Sequence, residues 1–60
     1  MDAALVRLIW NRAHRCCEYC RMAQDCDDLT FEIDHVIARK HGGLTIASNL
    51  ALSCFWCNVL

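Results

Sequence analysis

Two Cys-x-x-Cys pairs, Cys17-Glu18-Tyr19-Cys20 and Cys54-Phe55-Trp56-Cys57, flank the run Phe31-Glu32-Ile33-Asp34-His35-Val36-Ile37, which sets a carboxylate beside an imidazole. Two intervening residues let one turn of backbone present both sulfurs to a single ion. Two such turns complete a tetrahedral thiolate cage of the kind that holds structural zinc. The ligands read from this spacing are Cys17, Cys20, Cys54 and Cys57. Cys16 directly precedes Cys17, and substituting it would break the two-residue spacing to Cys20, so Cys16 is expected as a buried or half-buried free thiol. Cys26 lies among Asp25, Asp27 and Asp28 and is expected as a second spare thiol.

Sixty residues make at most one domain, and a chain this short buries too small a share of its surface to be stable without a staple. Structural zinc supplies about 10–16 kcal/mol of apparent binding energy in small modules, so metal binding and folding should be one event. Six cysteines would also suit a disulfide-stapled secreted peptide. The start of the chain favours zinc: Asp2, Arg7, Asn11 and Arg12 interrupt the apolar run before it resembles a signal peptide. No stretch approaches the roughly 20 apolar residues of a membrane span, and a reducing cytoplasm is the expected location. The formal charge of −1 gives weak sequence-independent affinity for phosphates. Arg7, Arg12, Arg15 and Arg21 in the first third, and Arg39-Lys40-His41 after the Asp-His pair, still allow a local basic edge. Oligomeric state has no signal in the sequence.

These residues need elements to position them. Leu5, Leu8, Ile9 and Ala13 share one face at helical spacing, with Val6 and Trp10 flanking, which predicts a helix over residues 3–14 capped by Asp2. Residues 24–28 read as a polar loop. Residues 30–37, rich in Thr, Phe, Ile and Val, read as a strand. Gly42-Gly43 demands a turn, and Asn49-Leu50-Ala51-Leu52 returns as a second strand. A helix starts near the second knuckle and includes Asn58, and the chain stops after hardly more than one turn of it. Phe55 and Trp56 are expected to cover the core, with base stacking as their other use. His14 is expected on the helix surface, and His41 as a solvated loop residue.

Taken in order, Cys-x-x-Cys, Asp34-His35, Gly42-Gly43, Asn49-Leu50 and Cys54-x-x-Cys57-Asn58 resemble the HNH endonuclease family in its zinc-knuckle branch, over residues 17–58. The resemblance implies a small α+β domain over residues 1–60. Its fold would be the ββα-metal (His-Me finger) fold with an added N-terminal helix, shortened in the last helix. It also implies a metal-dependent endonuclease that hydrolyses DNA and leaves 5′-phosphate and 3′-hydroxyl ends. Carried over by position, His35 looks like the general base, Asp34 and Asn58 look like ligands of a catalytic cation, and Asn49 looks like the residue that fixes the loop and orients the base. Asn58 stands where many members have histidine, which is the HNN pattern.

The chemistry of the residue types is consistent with those roles. Hydrolysing a phosphodiester needs an activated water and charge relief at the phosphoryl group and the leaving oxygen. A neutral imidazole accepts a proton near neutral pH. A carboxylate and an amide carbonyl are hard ligands suited to Mg²⁺ or Mn²⁺. Zinc closed by four thiolates has no position left for this work, so two metals with separate tasks are expected. Adjacent residues in a regular strand face opposite ways, so the pair can serve one site only if His35 lies at the strand end or beside a bulge. The rival from another class is a non-catalytic zinc module that binds nucleic acid or protein, a reading that the short last helix favours.

Overall fold

The computed structural model describes residues 1–59. In chain order they form helix α1 (Ala3–Arg12), strand β1 (Glu32–His35), strand β2 (Leu50–Ser53) and helix α2 (Phe55–Val59), with 3-10 turns at Gln24–Cys26, Arg39–His41 and Ala47–Asn49. The result is a small α+β fold around one antiparallel pair, in which Glu32 faces Ser53, Ile33 Leu52, Asp34 Ala51 and His35 Leu50.

Asp2 caps α1 by accepting from the Ala4 amide at 3.4 Å. Ile9 and Ala13 are buried and Leu5 and Trp10 half-buried, but Leu8, expected on the same face, is 51 % exposed. The helix also ends two residues earlier than the apolar spacing indicated. Arg15 N–H bonds to Trp10 O and His14 N–H to Asn11 O, the paired closure of a Schellman motif, with His14 (φ 54°) and Arg15 (φ 57°) both left-handed. Left-handed backbone costs a non-glycine residue about 1–2 kcal/mol. Packing offsets this: the Arg15 guanidinium lies 5.5 Å over the Trp10 ring, which itself stacks on Phe31.

The stretch after the first knuckle is more ordered than a polar loop. Gln24 accepts from the Phe31 amide at 2.7 Å and donates to Leu29 O at 2.9 Å, so one side chain ties the 3-10 turn to the residue that precedes β1. Strand β1 is half the expected length. Beyond His35 the ladder is taken over by Asn49: Val36 N–H bonds to its carbonyl and Ile37 N–H to its side chain, leaving Val36 and Ile37 exposed. Strand β2 correspondingly starts one residue late, at Leu50, because Asn49 closes the preceding 3-10 turn.

The core gathers Ile9, Ala13, Cys17, Phe31, Leu50, Leu52 and Cys54. Two of its members are zinc-type cysteines, so the metal site is part of the packing. Phe55 (44 % exposed) and Trp56 (61 % exposed) do not cover this core, contrary to the expectation from sequence. They begin α2 on its outer side and make an edge-to-face pair with each other. No helix among the described residues is long and apolar enough to cross a membrane.

One polar cluster joins the layers. Arg12, the last residue of α1, donates to both carboxylate oxygens of Glu18 (2.7 and 3.1 Å), to Ala47 O (2.9 Å) and to Leu50 O (2.7 Å). Glu18 in turn accepts from the Leu52 amide at 2.9 Å, while its own amide donates to Leu52 O. The first knuckle thereby completes the free edge of β2. The hydrogen bonds from Arg12 hold the Glu18 carboxyl below the ordinary carboxylate range, against the opposing effect of burial. Its stabilisation is therefore complete above that range and is lost as pH falls through the depressed value. Lysine keeps the charge but cannot supply four divergent donors. Arg12→Lys should destabilise the zinc-loaded protein by about 2 kcal/mol, measured by chemical denaturation at neutral pH; an unchanged midpoint would show that the cluster contributes nothing beyond charge.

Candidate functional site

The sulfurs of Cys17, Cys20, Cys54 and Cys57 all lie within 4.8 Å of one another, and those of Cys20 and Cys54 are 3.7 Å apart. A tetrahedron with metal–sulfur bonds near 2.3 Å has edges of about 3.8 Å, so the four sulfurs stand close enough for one zinc ion to hold them all. Backbone amides prepare it: Cys20 N–H points at the Cys17 sulfur at 3.5 Å, within a tight turn closed by Arg21 N–H to Cys17 O. Burial opposes ionisation of Cys17, yet the amides of Cys20, Cys54 and Tyr19 bring it down to about 6. Cys57 is pushed up to about 12, chiefly by sharing its proton with Cys54 and then by burial. Four thiolates at this separation need a cation among them. All six cysteines are free thiols, with Cys16 half-buried and Cys26 exposed. The four residues are thus positioned to hold a metal ion, and their donor set fits zinc.

The Asp-His pair occupies the other end of the sheet. His35 is the terminal residue of β1, where the chain bends away, and its Nε2 lies 2.9 Å from the Thr45 hydroxyl. Strand alternation puts Glu32 and Asp34 on one face and Ile33 and His35 on the other. Helix α2 packs against β1, and Asn58 Nδ2 reaches Glu32 Oε2 at 3.4 Å. Burial, and then the charge of Asp34, push the Tyr19 phenol up, so the half-exposed tyrosine of the first knuckle stands within electrostatic reach of that carboxylate. Tyr19, Glu32 and Thr45 are residues the sequence reading did not select. A strand period would have found Glu32, two residues before Asp34, but nothing in the spacing marks Tyr19 or Thr45.

Asn49 is 8 % exposed and fully engaged: Oδ1 accepts from Ile37 N–H at 2.9 Å, and Nδ2 donates to Ile37 O at 3.1 Å and Leu44 O at 2.9 Å. The side chain thus clamps both arms of the loop that carries Arg39-Lys40-His41, all exposed and presented on one 3-10 turn. Gly42 caps that turn with φ 87°, and Gly43 allows the arms to meet, since a Cβ there would lie 1.7 Å from Ile37 O and 2.9 Å from Asn49 Nδ2. His41 is exposed, as is His14, which closes α1.

The family model for HNH endonucleases matches residues 17–60, which takes in both knuckles, the Asp-His strand and the loop between Asn49 and β1. The chain belongs to the HNH endonuclease family. Neither the curated proteins nor the solved structures compared with it contain a match. Within this HNH domain the four-cysteine cluster lies at one end of the sheet and the Asp-His pair at the other.

Two tests follow from this geometry. Zinc-loaded protein should expose two reactive thiols and, after chelation, all six, with loss of its circular dichroism signal; Cys54→Ser should bind no zinc and stay unfolded. A folded Cys54→Ser protein would remove the staple. Separately, Gly43→Ala should destabilise by about 3 kcal/mol because the new methyl group meets backbone, whereas Gly42→Ala, with open space around it, should cost about 1 kcal/mol from its left-handed backbone. Denaturation midpoints that rank the two variants the other way would contradict the close-approach account.

Proposed function

We propose that this HNH domain is a metal-dependent endonuclease of the ββα-metal type, in its HNN variant, which hydrolyses DNA phosphodiester bonds. The reading is carried by one observation: the family match runs through Asp34, His35, Asn49 and Asn58, while β1, which bears Asp34 and His35, is packed by the helix that bears Asn58. In this reading His35 is the general base. Its place at the end of β1 supports the role, because the imidazole is not bound to share a face with Asp34 and can approach the water while the carboxylate serves elsewhere.

Asp34 and Asn58 would hold the catalytic cation, Mg²⁺ or Mn²⁺. Their oxygens suit such an ion, and Asn58 Nδ2 contacts, at 3.4 Å, Glu32, a residue on the same face of β1 as Asp34. A hard divalent cation bound there supplies Lewis-acid relief of charge on the phosphoryl group and the leaving 3′-oxygen. Asn49 holds the loop against β1 and so limits where the imidazole can go. The exposed Arg39-Lys40-His41 turn would meet the DNA backbone, where the chain's formal charge of −1 otherwise offers little attraction. Zinc on Cys17, Cys20, Cys54 and Cys57 would remain structural.

Nicking of supercoiled plasmid by zinc-loaded protein with Mg²⁺ or Mn²⁺ tests the assignment. His35→Ala should keep its circular dichroism and zinc content and lose about 10²–10⁴-fold in nicking rate. If the folded wild-type protein fails to nick with either ion, the reading gives way to its rival, a non-catalytic zinc module.

A further inference from the structure

Thr45 has no part in the roles above, yet its hydroxyl supplies the hydrogen bond to the His35 ring, Oγ1 to Nε2 at 2.9 Å. Thr45 is held from both sides. Leu44 O, just before it, accepts from Asn49 Nδ2 at 2.9 Å, and Ile46 O, just after it, accepts from Asn49 N–H at 2.9 Å. The Asn49 amide is buried and its other bonds go to Ile37, near the end of β1. One side chain therefore fixes where Thr45 stands relative to the strand that carries His35. Among the described residues neither Nδ1 of His35 nor any second partner of the Thr45 hydroxyl enters a hydrogen bond.

A neutral imidazole has one nitrogen that donates and one that accepts, and the partner of one nitrogen decides what the other can do. From this we infer that Thr45 is a positioning residue for His35: its hydroxyl accepts from Nε2–H, holds the ring in one orientation and one tautomer, and leaves the Nδ1 lone pair as the nitrogen that takes a proton from water. The inference rests on His35 being the general base. It also says how Asn49 orients that base, namely through the loop backbone on either side of Thr45 and not by touching the ring. Partners of the far nitrogen of metal-bound histidines are worth about 10-fold to 100-fold, and a loss at the lower end of that range is expected for this base.

The experiment reads tautomer and rate separately. Nitrogen-15 NMR of zinc-loaded protein at about pH 8, where imidazole is neutral, should show His35 with Nε2 protonated, Nδ1 bare, and the Nε2 proton protected from solvent exchange. Thr45→Val keeps the shape without the hydroxyl; it should lose that protection, populate both tautomers and lower kcat for plasmid nicking about 10-fold or more with KM little changed, while Thr45→Ser restores all three. Nδ1 protonated in the wild-type protein, or a valine variant with wild-type protection and rate, would overturn the inference. Should the wild-type protein not nick at all, the nuclease reading fails, and with it the catalytic meaning of Nδ1. The NMR comparison then still decides whether Thr45 holds the ring.

Discussion

Four sulfurs drawn within 4.8 Å of one another are the constraint on which the rest of this molecule depends. Without a cation the cluster is in conflict with itself, since amides bring the Cys17 thiol down to about 6 while Cys57, facing the other sulfurs, is pushed up to about 12. A bound metal resolves that conflict and fixes four points of the chain at once. Two are core residues, Cys17 and Cys54, both fully buried, so such an ion would also close the apolar cluster of Ile9, Phe31, Leu50 and Leu52. A chain of this size has little other surplus stability, and the energy of zinc coordination exceeds what its few buried side chains can supply.

The cage alone does not orient the sheet. That task falls to Glu18, which stands inside the first knuckle and pairs with both backbone groups of Leu52, as a third strand would. Its carboxylate would be poorly satisfied there without Arg12, whose guanidinium also collects the carbonyls of Ala47 and Leu50. Helix α1, which stands before the residues matched by the family model, is thereby tied to the strand that precedes the second knuckle. An added helix can be packed on a small metal fold in many ways, and one multidentate arginine at its last turn selects among them.

What could be read in the sequence depended on whether the determinant was local. The knuckles were legible because metal spacing is a local covalent property, and the cap at Asp2, the turn at Gly42-Gly43 and the order of strands and helices were legible for similar reasons. The end of α1 was not, because its left-handed residues are histidine and arginine, and the Trp10 ring under the Arg15 guanidinium is a contact that apolar spacing does not announce. The length of β1 is not legible in its own residues, because Asn49 replaces the ladder with its side chain and stands 12 residues beyond Ile37. Two aromatic residues inside a knuckle of a small domain point to core cover, yet Phe55 and Trp56 are exposed. The core is already filled by α1, the strands and the first knuckle, and the two rings lie on the outer side of α2. Thr45 carries no sequence signal at all, since any hydroxyl in a loop looks the same until the loop is folded.

The same distinction explains why the two ends of the sheet can carry different chemistry. Four sulfurs at the knuckles form a soft donor set with no position left for a hard ion, while the end of β1 offers a carboxylate and an imidazole, both hard or borderline donors, with the amide of Asn58 beside Glu32 further back along the strand. Antiparallel pairing of β1 with β2 separates them, because Ser53, which faces Glu32, leads directly into Cys54, whereas His35 faces Leu50 at the opposite end of the ladder. Loop constraints sharpen the difference. Coordination would fix the cysteines, whereas His35 gains its position from neutral hydrogen bonds that run from a buried asparagine through a loop to a hydroxyl. Such bonds are weaker than metal ligation and more easily retuned by a single residue. The stability of this fold and the setting of its histidine can therefore vary independently, the first resting on the four-cysteine cluster and the metal it is positioned to hold, the second on the sequence of one loop.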